Sequence, residues 1–228
     1  MIGVKSMMML DRWKSFLEHL NKSNQINDYN LRCAIEYWNY IQYEYSLENG
    51  RFYHNLDHIN HCLSEFDDAI ENGVTIADRD LLELAIWFHD IIYKPYRDQK
   101  YEFVTNEMAS GECVLNFIHT FKLPIRYKVV YDYIKFTEYT AHPQDYDIKV
   151  LMDIDLSGLG SPEAVFNNNG RNLRKEYDHL GGSEYNELRK QQLNSFLSGK
   201  IYKTDYFREK YETQARKNIE RTLIGEKV

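Results

Sequence analysis

The chain has 228 residues, 43% of them hydrophobic and 28% charged, which supplies a full apolar core and argues against wholesale disorder. Three widely spaced cysteines without C-x-x-C spacing argue against a disulfide framework or a thiolate zinc cluster, and read as small buried apolar residues. A net charge of −7 argues against a broad nucleic-acid-binding face, and no stretch approaches the roughly 18 apolar residues of a membrane span. The N-terminal MIGVKSMMML is too short for a signal sequence and runs into Asp11-Arg12, so a cytoplasmic location is expected. With only 4 Pro and 11 Gly, a sandwich or barrel of many short strands is disfavoured, and an all-α fold is expected.

No linker divides the chain, so one domain is expected over 1–228, with N-terminal helices in 1–50, a metal-binding core in 51–160 and basic C-terminal helices in 161–228. Helical spacing of apolar residues predicts helices over 8–20 and 28–47, the second rich enough in tyrosine to serve as a homo-oligomer face. Glu48-Asn49-Gly50 stops that pattern, and Ile59, Cys62, Leu63 and Phe66 form the stripe of a helix over 53–71. Asp78 is the expected cap of a helix through 81–92, with Pro95 shortly after its end. Further helices are expected at 101–120, 125–138, 145–157, 162–178, 183–198 and 204–224. Charge is uneven: residues 1–170 hold 15 Lys/Arg against 26 Asp/Glu, whereas 171–228 hold 13 against 9. That asymmetry suits a metal site in the body and anion-binding arginines in the tail.

Three segments carry chemistry. Leu81–Ile92 is apolar nearly all round, which buries His89 and Asp90; an ionised carboxylate there needs a counter-charge or a metal. Arg51–His58 places His54 and His58 four apart, on one helical face, with His61 read as structural. In Val150–Leu159, Asp155 shares its face with Leu151, Met152 and Leu159 and is the better ligand candidate, while Asp153 shares its face with Lys149 and is read as its partner. Among the tail arginines Arg171, Arg174, Arg189 and Arg216, any can clamp a phosphate bidentately or pair with a neighbouring acid, as Arg174 with Asp178 or Arg216 with Glu212.

A histidine, a His-Asp pair some thirty residues on, and a distant Asp on a helical chain resemble the HD-domain metal-dependent phosphohydrolases. Tyr53-His54-Asn55-x-x-His58 looks like the Y-H-N-x-x-H of cyclic-nucleotide phosphodiesterases, and Asp155-Leu156-Ser157 like their D-L-S. Flanking segments, including Arg174-x-Glu176-Tyr177 and Glu212-x-x-Ala215-Arg216-x-Asn218, resemble an uncharacterised bacterial group of predicted HD phosphohydrolases. The chain departs from the HD nucleotidases in placing Tyr93 where H-D-x-x-E has Glu.

The resemblance implies an HD-type helical bundle in which His58, His89, Asp90 and Asp155 hold a divalent metal, Mn, Fe, Co, Ni, Zn and Mg not being distinguished. One ion is expected and a second admitted. It further implies that His54 protonates a leaving oxygen, with Glu107 the candidate base or extra ligand and His142 a candidate for lining the pocket. Arg174 and Arg216, which match the group's motifs, are the favoured phosphate clamps. The expected activity is hydrolysis of a small phosphate monoester or diester, a nucleotide by family analogy, with neither nucleic acid nor membrane as partner. The alternatives are a di-iron oxygenase, which would recruit Glu107 and His142, and a non-catalytic protein that keeps its metal for ligand binding.

Overall fold

The computed structural model describes residues 2–22, 25–94 and 104–225. Its helices are α1 (Ile2–Leu20), α2 (Asp28–Glu36), α3 (Trp38–Glu44), α4 (Leu56–Glu71), α5 (Arg79–Phe88), α6 (Asn106–Phe121), α7 (Tyr127–Phe136), α8 (Tyr146–Leu156), α9 (Glu163–Glu176), α10 (Gly182–Leu197), α11 (Asp205–Phe207) and α12 (Thr213–Leu223). A π-helical stretch, Arg208–Glu212, joins the last two. No strand occurs among the described residues, so the fold is all-α, and no helix there is long and apolar enough to cross a membrane.

Most boundaries follow local capping. Asn27, Asn55, Asp78, Thr105 and Asp145 each accept a hydrogen bond from a first-turn N–H, which satisfies donors the helix itself leaves open. Several boundaries differ from the sequence expectation, α1 beginning at Ile2 and not at residue 8, and the helix expected over 204–224 being α11, the π-helical stretch and α12. The helix expected over 28–47 is two, broken at Tyr37, where the Ala34 carbonyl accepts the Trp13 indole N–H at 3.1 Å. Asn55 starts α4 after His54, and α5 ends at Phe88, so His54, His89 and Asp90 all lie on chain just outside helices. Pro95 and the expected start of a helix at 101 fall outside the described residues.

One buried apolar cluster runs from Met9 to Ile219. Helix α5 is its centre: Leu81, Leu82 and every residue from Leu84 to Phe88 are buried. Trp13 of α1 packs edge-on against Trp87, ring centroids 5.5 Å apart, and Arg12 beside it bridges Asp67 of α4 and Glu83 of α5. Helices α6 and α7 meet at Gly111, where a Cβ would lie 2.6 Å from the Tyr131 ring; only glycine permits that approach.

The exit of α5 is pinned from several sides. The Tyr45 hydroxyl donates to the Trp87 carbonyl at 3.0 Å. The Arg51 guanidinium, 1% exposed, donates to the carbonyls of Asp90 and Ile91 at 2.8 Å each, and to that of His54 at 3.1 Å. It lies over the faces of Tyr45 and Tyr93. A cation at a helix C-terminus also complements the helix dipole. Replacing Arg51 with Met leaves three carbonyls without their donor, and the expected cost is about 3 kcal/mol of stability, read as a lowered urea midpoint with unchanged slope.

Candidate metal centre

Four side chains from three parts of the chain converge on one point. His58 comes from the first turns of α4, His89 and Asp90 from the exit of α5, and Asp155 from the last turn of α8. His58 Nε2 lies 3.2 Å from His89 Nε2, 3.1 Å from Asp155 Oδ1 and 3.5 Å from Asp90 Oδ2. His89 Nε2 lies 3.1 Å from Asp90 Oδ2 and 3.5 Å from Asp155 Oδ1. Lone-pair donors set this closely around a common centre are what a cation needs. Cys62, one turn beyond His58, adds a buried sulfur 3.7 Å from His58 Nε2, and the group His58, Cys62, His89 and Asp155 can hold a metal ion. Composition and spacing mark Cys62 only as a small core residue, although its position four residues after His58 puts it on the same helical face.

Outer contacts orient these donors. His89 Nδ1 lies 2.9 Å from the Ile86 carbonyl, which only accepts, so Nδ1 bears the proton and Nε2 faces the centre. Tyr139 donates to Asp155 Oδ2 at 2.5 Å and also to the Met152 carbonyl. Tyr139 sits at φ +59, in the left-handed region that side chains other than glycine rarely adopt, so local strain accompanies its placement against the ligand. Asp153 does not pair with Lys149 as expected. Its oxygens accept from the backbone of Lys203 and Thr204 and from the Thr204 hydroxyl, at 2.6–2.7 Å. It is wholly buried, which pushes its carboxyl up to about 6 against those hydrogen bonds, whereas the Asp155 side chain is 17% exposed. The face with more apolar neighbours in sequence is thus the one that opens toward the cavity.

His54 stands beside the centre, 6.0 Å from His58 between ring centroids, and stacks on Tyr93. Its place is fixed by Glu176 at the end of α9, a residue to which the Arg174-x-Glu176-Tyr177 motif assigns no role. One Glu176 oxygen accepts the backbone N–H groups of Tyr53 and His54 at 2.7 and 2.8 Å, and the other lies 2.6 Å from His54 Nδ1. Burial disfavours the Glu176 carboxylate, but His54 and those N–H groups more than offset it and hold its pKa below the ordinary value. The His54–His58 relation therefore depends on this carboxylate and not on shared helical geometry.

A cavity of about 490 Å³ opens over the centre. Asp90, Asp155 and His54 line it, together with Glu107 and Glu138. Glu107 is half-buried in the first turn of α6, and burial raises its pKa. Arg189 of α10 is the arginine on this wall, whereas the two favoured clamps are spent elsewhere. Arg174 donates to the Tyr177 and Leu180 carbonyls and lies over the Tyr185 ring, closing the end of α9. Arg216 pairs with Glu212 and donates to the Gly199 carbonyl. Both motif arginines brace turns because the nearest unsatisfied acceptors are local carbonyls. Arg171 is exposed, and His142, also exposed, lines a different cavity. His61 is structural as expected, at 2.8 Å from the Ser157 hydroxyl, which itself donates to the Ile154 carbonyl.

No family model matches the chain, no curated protein gives a significant match, and no solved structure does so either.

The electrostatics of the centre call for positive charge. Burial disfavours charge on His58 and His89, yet their acidic neighbours, with Cys62 beside His58, push both well above the ordinary 6.5. Burial likewise disfavours the carboxylates, yet the imidazoles pull Asp90 and Asp155 below the ordinary 3.8. Without metal, the histidines stabilise the fold fully below pH 6.5 and lose that contribution as pH rises through their folded values. The aspartates contribute above pH 3.8 and lose it on acidification. A divalent ion must displace the imidazole protons, so its affinity rises with pH and its binding releases protons. Titration calorimetry in buffers of different ionisation enthalpy is expected to show this release. Asp155→Asn or His89→Ala is expected to lower bound metal, by elemental analysis, at least tenfold.

Proposed function

We propose that this protein is a metal-dependent phosphohydrolase of the HD type acting on a small phosphate ester. The observation that carries the reading is that His58 and His89 each lie 3.1–3.5 Å from Asp90 and Asp155, whose carboxylates line one cavity with an independently oriented His54. A ligand set of imidazoles and carboxylates supports a first-row transition metal, and the nearby Cys62 sulfur favours Zn, Fe or Co over Mg. When bound, such an ion supplies Lewis acidity toward a phosphoryl oxygen and activates water near neutral pH.

The protein's own groups account for the rest. Arg189 on the cavity wall receives phosphate oxygens; burial disfavours its charge, and an anionic ligand offsets that cost. Glu107, raised by burial, accepts a proton from the attacking water as the new P–O bond forms. The P–O bond to the leaving group then breaks, and that oxygen takes the proton from His54 Nε2, the ring atom left available because Glu176 holds Nδ1. Tyr53, Tyr177, Tyr185, Phe166 and Phe196 line the remaining wall, which suits an ester whose leaving group is aromatic, such as a nucleoside.

The test is a panel of nucleotides and generic phosphate esters with Mn, Co, Ni, Zn and Mg added in turn. Hydrolysis is expected with at least one transition metal, and its absence from a loaded site would leave only the binding role. His54→Ala and Glu176→Gln are each expected to lower kcat by roughly a hundredfold or more with bound metal unchanged. Arg189→Ala is expected chiefly to raise KM, whereas Arg174→Ala and Arg216→Ala are expected to lower stability and leave KM near the parent value.

A further inference from the structure

We propose that a second cavity, beside the first and separated from it by a wall of side chains, binds a small anion-bearing molecule of the phosphate class. This cavity, of about 570 Å³, lies between the turn carrying Tyr139–His142 and the segment 195–203 after the middle of α10. Lys200, Lys203, Arg208 and His142 line it, and no Asp or Glu does so among the described residues. The first cavity has the opposite character, with Asp90, Glu107, Glu138 and Asp155 against the single guanidinium of Arg189. Asp205 answers the charge of Arg208, so the excess cations of the second cavity are Lys200 and Lys203, against the excess carboxylates of the first, one cavity suited to an anion and the other to a cation.

The arrangement of the cations is local and specific. Arg208 donates to the Lys203 carbonyl at 2.8 Å and pairs with Asp205, which holds its fork against the 202–203 segment. Lys203 Nζ donates to the Lys200 carbonyl at 3.2 Å, folding its ammonium back along the same loop. Lys200 and His142 are exposed at the rim. Below them Met152, Leu156, Ile201 and Tyr202 supply an apolar floor. A cationic rim over an apolar floor fits a ligand with a charged head and a small apolar body.

Tyr139, Leu156 and Phe196 belong to both cavities, and the Tyr139 and Phe196 rings meet edge-on at 6.1 Å. The segments that line the second cavity also hold the end of α8. Tyr139 donates to Asp155, Tyr202 donates to the Leu156 carbonyl at 3.0 Å, and the Lys203 and Thr204 N–H groups donate to Asp153. An occupant there touches the supports of a metal-ligating helix without entering the metal cavity.

The test does not require the hydrolytic reading to hold. Inorganic pyrophosphate is titrated into the full-length chain stripped of metal with chelator, at fixed ionic strength, and binding is followed by calorimetry. Saturable binding is expected, weakened at least tenfold by Lys200→Glu and at least threefold by Lys200→Gln, and the Lys200-dependent binding is expected to persist in Arg189→Ala. Lys200 is exposed, so both variants are expected to keep the parent thermal midpoint. Absence of saturable binding, parent affinity in both Lys200 variants, or loss on Arg189→Ala with retention in Lys200→Glu would each overturn the proposal, the last by placing the anion in the metal cavity.

Discussion

Two imidazole nitrogens lie 3.2 Å apart, each 3.1–3.5 Å from an oxygen of Asp90 and of Asp155, in the interior, and this crowding of electron pairs is the constraint around which the site is arranged. Removed from water, such a set is costly unless positive charge is shared among its members, as protons or as a metal ion. The opposing shifts of the histidines and aspartates are two expressions of that demand. A divalent ion would meet it with one centre in place of several protons, and its binding would then be coupled to folding.

Holding the donors in place falls to residues that ligate nothing. Arg51 gathers carbonyls from the His54 segment and from the α5 exit, so the two histidine-bearing stretches are fixed to each other through one buried cation. Tyr45, Tyr139 and the Lys203–Thr204 backbone do comparable work for α5 and α8. Most of these contacts end the orphan carbonyls of a helix terminus or satisfy a buried carboxylate, so fold stability and site geometry rest on the same hydrogen bonds. The left-handed backbone of Tyr139 fits this pattern, because strain at a ligand-supporting residue persists only where its surroundings fix it.

The basic C-terminal region divides its labour in a way that total charge conceals. Arg174, Arg216 and Arg221 are engaged with carbonyls or carboxylates of the fold, while Arg189 faces the metal cavity and Lys200 the second one. An arginine beside an open helix end is drawn to the carbonyls there, since each charge-assisted hydrogen bond made at short range costs little chain entropy. Only a cation that borders a cavity, from a helix in Arg189 or from the loop after α10 in Lys200, remains for a ligand.

The sequence by itself determined the all-α character, most helix positions and the burial of α5, because these follow from short-range patterns of apolar spacing, capping residues and scarce Pro and Gly. It also marked His89, Asp90 and Asp155 as ionisable groups set among apolar residues and His58 by its spacing from His54, while their grouping into one set came only from the resemblance to the HD phosphohydrolases. Tertiary structure alone decided what touches them. Glu176 reaches His54 across more than a hundred residues, Lys203 and Thr204 displace Lys149 as partners of Asp153, and Arg189 rather than Arg174 or Arg216 lines the cavity. Cys62 shows the same limit at short range, for its spacing from His58 was visible but the side of the helix that meets α5 and α8 was not. Periodicity says which residues share a face. Only the packed chain says what that face meets, because hydrogen bonds and charges act over a few ångströms in space whatever the distance along the chain.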